Sequence, residues 1–284
     1  MTNSADFEQY RGSLLAVAYR LLGSAAEAED AVQDTWLRWR SADEASIREP
    51  RAWLCRVLSR ICIDRLTSAR ARREVYPGTW LPEPVLTTSP VDAESISLGF
   101  LVLLERLSPL ERAVFVLRRA FDYTHVEIAE TVGISEAASR QSLHRAKLRL
   151  ADGIPRFSAD RAAHSRLLEA FARVLASGEV SSIAALLAED ATLFADGGGK
   201  VPGAALRPIC GREPIARFLV GLRRKTDLGE DFILKVAEVN GWPSLIGQRK
   251  TGTLFVMMIE TNDVNITSIH NVVNPDKLGL SRVN

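Results

Sequence analysis

The sequence predicts a multidomain chain: two all-α domains, one a helical bundle and one a helix-turn-helix, followed by an α+β cone. Three observations lead there. S/T-x-x-E signatures open helices at three points of the first half. A glycine-containing turn separates two short helices within 124–150. Beyond residue 158 helical patterns give way to strand-like runs separated by turns. The expected boundaries are 1–74, a linker over 75–98, 99–155, and 158–284.

The chain has 284 residues, 46% of them hydrophobic and 25% charged, enough for two or three domains with cores of their own. No run approaches the roughly 18 apolar residues of a membrane span. The start, MTNSADFEQY, has neither the basic nor the apolar region of an export signal, so a cytoplasmic protein is expected. Cys55, Cys62 and Cys210 are too few and too scattered for a disulfide framework or a zinc site. Cys55 and Cys62 stand a heptad apart in an apolar pattern and read as buried thiols. No cofactor is expected.

The net charge of +1 hides a sharp segregation. Residues 1–50 carry 5 arginines against 9 acids, and 51–73 carry 7 arginines against Asp64 alone. Residues 74–99 contain 4 acids and no base, and 135–149 carry 4 bases against Glu136. Blocks of alternating sign call for several partner surfaces of different charge, which a small-molecule enzyme does not need.

The capping signatures are Ser24-Ala-Ala-Glu27, Ser108-Pro-Leu-Glu111 and Thr124-His-Val-Glu127. After Ser24, Ala28, Val32, Thr35, Trp36 and Trp39 form an apolar stripe, and Glu27, Asp30 and Asp34 line an acidic one. In EPRAWLCRVLSRICIDRLTSARARR (49–73), Trp53, Leu54, Val57, Leu58, Ile61 and Leu66 supply a core face. Arg51, Arg56, Arg60, Arg65, Arg70, Arg72 and Arg73 supply a basic face of the kind that attracts phosphate. EVYPGTWLPEPVLTTSPVDAES (74–95) reads as an extended acidic linker, with Trp80 docked on a neighbouring surface.

In THVEIAETVGISEAASRQSLHRAKLRL (124–150), a capped helix carrying Val126, Ile128, Ala129 and Val132 stops at Gly133. A basic helix then runs from Glu136 to Leu150. Ala137, Ala138, Leu143, Ala146, Leu148 and Leu150 are expected to pack. Arg140, Gln141, His144 and Arg145 are left to face the major groove, where arginine reads guanine and glutamine reads adenine.

These residues together resemble a bacterial RNA polymerase sigma factor of the extracytoplasmic-function type over residues 7–150. AEDAVQDTWLRW (28–39) is similar to the segment that binds the polymerase clamp helices, which implies a polymerase-binding role for Glu27, Asp30, Asp34 and Trp36. PRAWLCRVLSRICIDRL (50–66) resembles the pattern that reads the minus-ten element and opens the duplex, implying DNA contacts by Arg56, Arg60, Asp64 and Arg65. Arg60 stands where that pattern has asparagine, so the recognised base is left open. LSPLERAVFVLRRAFDYTHVEIAETVGISEAASRQSLHRAKLRL (107–150) resembles the region that binds the minus-thirty-five element. The acidic linker would thread a basic channel of the polymerase.

ADRAAHSRLLEAFARVLAS (159–177) and GREPIARFLVGLRRK (211–225) are helical patterns, and GEVSSIAALLAEDATLF (178–194) is a short helix leading into a strand. FILKVAEV, TGTLFVMMIE and NDVNITSIHNVV read as strands. This order resembles the SnoaL-like branch of the NTF2-like superfamily. Asp196-Gly-Gly-Gly-Lys200 is not a phosphate-binding P-loop: Phe194 stands where glycine is required, Val201 where a hydroxyl is, and Pro202 where a helix begins. It is instead a polar loop after a strand.

A group of extracytoplasmic-function sigma factors with a fused SnoaL-like domain carries WLPEP, DGGGK-like and NPDKL segments. This sequence has them at 80–84, 196–200 and 274–278. That resemblance implies control in cis, with Trp80, Asp196, Gly197, Gly198, Gly199, Lys200, Asn274, Pro275 and Asp276 as regulatory contacts. Asp190, Asp196, Glu238 and His270 are candidate bases, but no tyrosine follows Tyr123, so the stabilising phenol of isomerases on this fold is missing. A small ligand in the cone, and a dimeric helix-turn-helix regulator with a sensing domain, stand as alternatives.

Overall fold

The structure, a computed structural model, describes residues 4–43, 47–87, 97–151, 160–226 and 229–280, without the side chains of 4–6 and 70–74. The side chains of Arg70, Arg72 and Arg73, most of the linker's second half and the expected boundary at 155–158 lie outside what is described. Contacts group Met1–Glu74 with Phe100–Ile154, and Val75–Gly99 with Pro155–Arg282. The linker residues therefore belong with the C-terminal unit.

The helices of the first half are α1 (Ser4–Leu22), α2 (Ala25–Ser41), α3 (Pro50–Glu74), α4 (Leu98–Leu104), α5 (Pro109–Ala120), α6 (His125–Val132) and α7 (Glu136–Leu150). Each capping signature starts one. Ser24 Oγ accepts from the Glu27 amide at 3.2 Å and opens α2. Ser108 and Thr124 complete reciprocal capping boxes with Glu111 and Glu127, satisfying backbone donors that a helix start leaves open. Leu14, Leu21, Leu54 and Leu58 form the buried seam of α1–α3, where Trp39 meets Trp53 edge-on at 5.6 Å. Cys55 and Cys62 are buried thiols there, and burial pushes Cys62 up to about 12, against the lowering effect of Arg65.

Gly133 ends α6 with φ +76°, a left-handed turn that favours glycine, and Ser135 caps α7. The inward face of α7 differs from expectation. Ser139, Ser142, Leu143, Ala146 and Leu150 are buried, while Ala137 is exposed and Leu148 is 60% exposed. Val126 of α6, also expected inside, is 50% exposed. At 100° per residue the stripe 139-142-143-146-150 is the single continuous one, and small hydroxyl residues fit where α6 approaches. Ser139 Oγ lies 2.9 Å from His125 Nδ1.

Within this unit α3 packs on α6, and α1 and α3 pack on α5. Arg112 of α5 is 2% exposed, and its Nε and Nη2 reach the Arg20 carbonyl of α1 at 3.4 and 3.2 Å. It also pairs with Glu105.

The C-terminal unit contains α8 (Arg161–Ser177), α9 (Val180–Leu186), β1 (Leu187–Asp196), β2 (Ile209–Cys210), α10 (Arg212–Lys225), β3 (Ile233–Val239), β4 (Trp242–Arg249), β5 (Gly252–Thr261), β6 (Ile266–Val272) and a 3-10 turn, Pro275–Lys277. The sheet order is β2-β1-β6-β5-β4-β3, with β1 and β6 parallel and every other pair antiparallel. Leu193, Leu245, Met257, Ile259 and Ile269 share one core with Leu168, Phe171, Leu219 and Val220 of α8 and α10. Strand alternation sends Phe194 and Asp196 to the opposite face. The expected α+β arrangement holds, with β2 and β4 as additional strands.

Candidate nucleic-acid interface and linker clasp

On α7, Gln141 and His144 are exposed. Arg140 is exposed and forms an i,i+4 ion pair with Glu136. Arg145, expected to face DNA freely, is held from within the domain: Nε donates to Glu111 Oε1 at 3.2 Å and Nη2 to Ser142 Oγ at 3.2 Å. Arg149 donates to Glu111 Oε2 at 2.8 Å. Glu111, buried on α5, is thus a junction between that helix and the last of the domain. Burial raises its carboxyl, but donation from the Ser108 amide and hydroxyl and the charges of Arg149 and Arg145 outweigh that and hold it below its ordinary value.

A depressed acid contributes stability above its unfolded pKa and loses it as the pH falls through the folded one. Glu111→Gln is therefore expected to cost about 2 kcal/mol near neutrality, since it weakens hydrogen bonds to charged groups. The gap between wild type and variant should be full above pH 4.5, the ordinary value, and close at lower pH. Urea melts across that range check this, and a gap independent of pH would refute it. His125, beside α7, is shifted downward by burial and by Arg140 and Arg118.

Along α2 and α3 the structure joins two sets of residues that were assigned to different partners. Arg65, grouped with the DNA contacts, donates from Nη2 to Asp34 Oδ2 at 2.6 Å and from Nη1 to the Glu27 carbonyl at 3.0 Å. Asp30, 69% exposed, lies 3.9 Å from the same guanidinium. Arg65 therefore neutralises part of the acidic stripe, holding Asp34 closely and Asp30 only at the edge of ion-pair distance. Trp36 packs against Phe7 at 5.1 Å. Arg60 and Asp64 are exposed, and Arg56 is half-buried.

The three short motifs of the C-terminal unit converge on one buried carboxylate. Asp196, at the end of β1, is 0% exposed. Oδ1 accepts from the Tyr76 hydroxyl at 2.6 Å and the Gly198 amide at 3.1 Å. Oδ2 accepts from the Leu81 amide at 2.8 Å and from Lys277 Nζ at 2.7 Å. Lys277 also donates to the Leu81 carbonyl at 2.6 Å and sits 4.2 Å above the Trp80 ring. Asn274 Nδ2 donates to the Tyr76 hydroxyl at 2.8 Å, and Lys200 pairs with Asp276. Burial, then the Asp196 carboxylate, push the Tyr76 phenol upward.

The glycines answer to this packing. Gly198 and Gly199 have φ +57° and +70°, and a Cβ would come 2.5 Å from Asn274 Nδ2 at the first and 3.0 Å from Pro77 at the second. Of the loop expected to make contacts, Asp196 and Gly197 are buried, Gly198 is half-buried, and Gly199 and Lys200 are exposed. The linker continues as a seated strap. Leu81–Val85 is buried, Leu86 bridges Val239, and Asn240 exchanges hydrogen bonds with Val85 through Oδ1 and its amide at 3.2 and 2.9 Å. Tyr76, Lys277 and Arg149 were not singled out from the sequence, and Glu111 only as a capping residue, although Lys277 lies inside NPDKL and Tyr76 lies four residues before WLPEP.

The remaining candidate bases have structural places. Glu238 pairs with Arg161, Asp190 is exposed, and His270 lies 3.0 Å from Glu260 Oε1, stacked on Phe194. A cavity bordered by His164, Trp242, Glu260, Thr261 and His270 measures about 20 Å³, the room of about one water. Among the described residues no His/Cys/Asp/Glu group could hold a metal, and no helix is long and apolar enough to cross a membrane.

Residues 7–72 match the family model Sigma-70 region 2, and 98–150 match Sigma-70, region 4. These two regions together are those of a transcription initiation factor, and the chain belongs to the extracytoplasmic-function (ECF) sigma factors of RNA polymerase. It is similar to the ECF RNA polymerase sigma factor SigJ of Mycobacterium tuberculosis, being 38% identical across 96% of this chain and 92% of that protein. The crystal structure of that SigJ aligns with a TM-score of 0.79 and 35% identity, covering 99% of this chain and all of the other. The probable ECF RNA polymerase sigma factor SigI of the same species is 32% identical over 65% of this chain and 66% of its own length. The chain thus acts as a sigma factor, whose partners are core RNA polymerase and the minus-ten and minus-thirty-five promoter elements.

Proposed function

We propose that the C-terminal unit controls this initiation factor in cis through the clasp on residues 76–85. The observation that carries this is the Asp196–Lys277 pair, which fastens a segment lying between the two promoter-reading regions to the C-terminal sheet. Clasping or releasing that segment alters the span available to the flanking regions. The need for a span follows from dimensions. Elements centred 25 base pairs apart are separated by about 85 Å of duplex at 3.4 Å per step. A compact unit of some 130 residues has a radius of gyration of about 14 Å. With α3 packed on α6, the two readers cannot reach both elements together, so promoter binding requires them to part.

Arg56, Arg60 and Asp64 are assigned to the minus-ten region. Asp30, Asp34, Glu27 and Trp36 are assigned to the polymerase, with Arg65 orienting the acids. Gln141 and His144 are assigned to base readout, with Arg140 and Arg145 positioning the phosphates. No catalytic role is assigned to the C-terminal unit, and the protein works in the cytoplasm with the polymerase. The test is transcription in vitro by the full chain with core polymerase on a promoter library. Lys277→Met is expected to change output without changing the promoters used; unaltered output would refute control through the clasp.

Replacing Gln141 and His144 together by alanine should cost about 1–3 kcal/mol per lost base contact, roughly 5- to 150-fold in affinity for each. It should also relax the preference for one sequence at the minus-thirty-five element. Binding to promoters with single base changes checks this. Undiminished discrimination would remove both residues from the interface.

A further inference from the structure

We propose that the helix layer of the C-terminal unit, α8 and α10, is a contact surface for duplex DNA upstream of the minus-thirty-five element. The two helices carry eight cations against two carboxylates, Glu169 and Glu213, in a chain whose net charge is only +1. Arg166 and Arg173 are exposed two turns apart on α8, as are Arg217 and Arg224 on α10, with Lys225 beside the last. None of these five makes an ion pair with a described residue. Arg161, at the start of α8, pairs with Glu238, and elsewhere in the unit Lys200, Arg249 and Lys277 each meet a carboxylate.

The two stripes are brought together by Arg223. Its Nη1 donates to the Leu175 carbonyl at 2.8 Å and to that of Ala176, so it answers the negative end of α8. That leaves Arg173, Arg224 and Lys225 near the same end with no such task. Between Arg217 and Arg224 lies Gly221, where an added Cβ would meet nothing within 4 Å. A glycine inside a helix costs stability, and here no packing within the chain requires it; it leaves the backbone open to close approach between two guanidiniums. Guanidinium pairs suit phosphate, which they bind in bidentate fashion.

Connectivity selects the upstream duplex. α7 ends at Leu150 and α8 begins at Arg161, so the intervening chain reaches at most about 40 Å from the minus-thirty-five reader. The proposal rests on the sigma-factor reading of the chain and adds a third DNA contact to it.

The test uses the full chain with core polymerase on two promoter fragments. One is cut just upstream of the minus-thirty-five element, and one is extended by several helical turns. Wild type is expected to bind the longer fragment more tightly and with a steeper salt dependence. Arg217→Glu with Arg224→Glu should abolish that preference and reduce the slope of log affinity against log salt by about two, at about 0.9 per phosphate. Transcription from the short fragment should be unchanged. Gly221→Ala should raise Tm while weakening the long fragment only, separating DNA contact from folding.

Equal wild-type affinity for both fragments overturns the proposal and leaves the sigma-factor reading intact. Equal weakening of both fragments by the charge reversal also overturns it, and assigns the surface to the polymerase. No specific complex on either fragment overturns both readings.

Discussion

Asp196→Ala is expected to destabilise the C-terminal unit by about 3–5 kcal/mol, the range for removing one partner of a buried ion pair. Asp196 is fully buried and accepts from four donors, two of them on the linker segment. Alanine withdraws the countercharge from Lys277, whose side chain is 12% exposed, and the ammonium must then draw in water or leave. Either course pulls Lys277 away from the Trp80 ring and the Leu81 carbonyl, which the same ammonium holds. The linker should therefore open to protease between Tyr76 and Val85 before the sheet unfolds.

Asp196→Asn separates charge from shape, because an amide keeps the size and one acceptor oxygen but not the countercharge. It should retain part of the stability lost in alanine. In a double-mutant cycle, Asp196→Ala and Lys277→Met should couple by more than 1 kcal/mol, as residues sharing one network do. Thermal unfolding monitored at the tryptophans, with limited proteolysis, reads all of this. Wild-type protease resistance in the alanine variant would show that the clasp does not hold the linker.

What the sequence disclosed and what it hid divide along one physical line. Local hydrogen-bond chemistry was legible. The capping residues Ser24, Ser108 and Thr124, the left-handed Gly133 and the amphipathic helices are decided within a few residues, and the structure has them where the spacing places them. Pairings across long separations were not. Nothing near Arg65 announces that its guanidinium turns to Asp34, 31 residues away, nor that Arg145 and Arg149 share Glu111, 34 and 38 residues away.

Strand β4, WPSLIGQR, was not among the expected strands, and Pro243, Gly247 and Gln248 break its alternation. It forms regardless, since both its neighbours supply ladder partners. In the clasp, the three motifs identified its parts, but only the fold shows that the glycines yield space to Asn274 and Pro77. The acidic segment read as an extended linker docked only through Trp80, because proline and charge dominate it. Its Leu81 and Val85 are fully buried in the C-terminal unit, so two apolar residues outweigh the composition around them.

Arg112→Ala should be the most damaging substitution in the promoter-reading unit. The side chain is 2% exposed and spans from α5 to the backbone of α1, meeting the Arg20 carbonyl with two nitrogens and pairing with Glu105. Alanine removes a large buried side chain and its charge together, so a packing defect adds to the lost hydrogen bonds. The two contributions amount to about 3–5 kcal/mol, or a drop in Tm of roughly 10 °C at 2–4 °C per kcal/mol for a unit approaching 150 residues. Arg112→Met fills much of the volume without the charge and should recover part of the packing contribution. If the guanidinium chiefly joins the two readers, the methionine variant should stay folded while α1 and α5 separate more readily. Its hydrogen exchange would then rise in α1 and α5 ahead of global unfolding. Exchange rising uniformly over all the helices would mean that Arg112 supports the whole unit and has no special part in how the readers come apart.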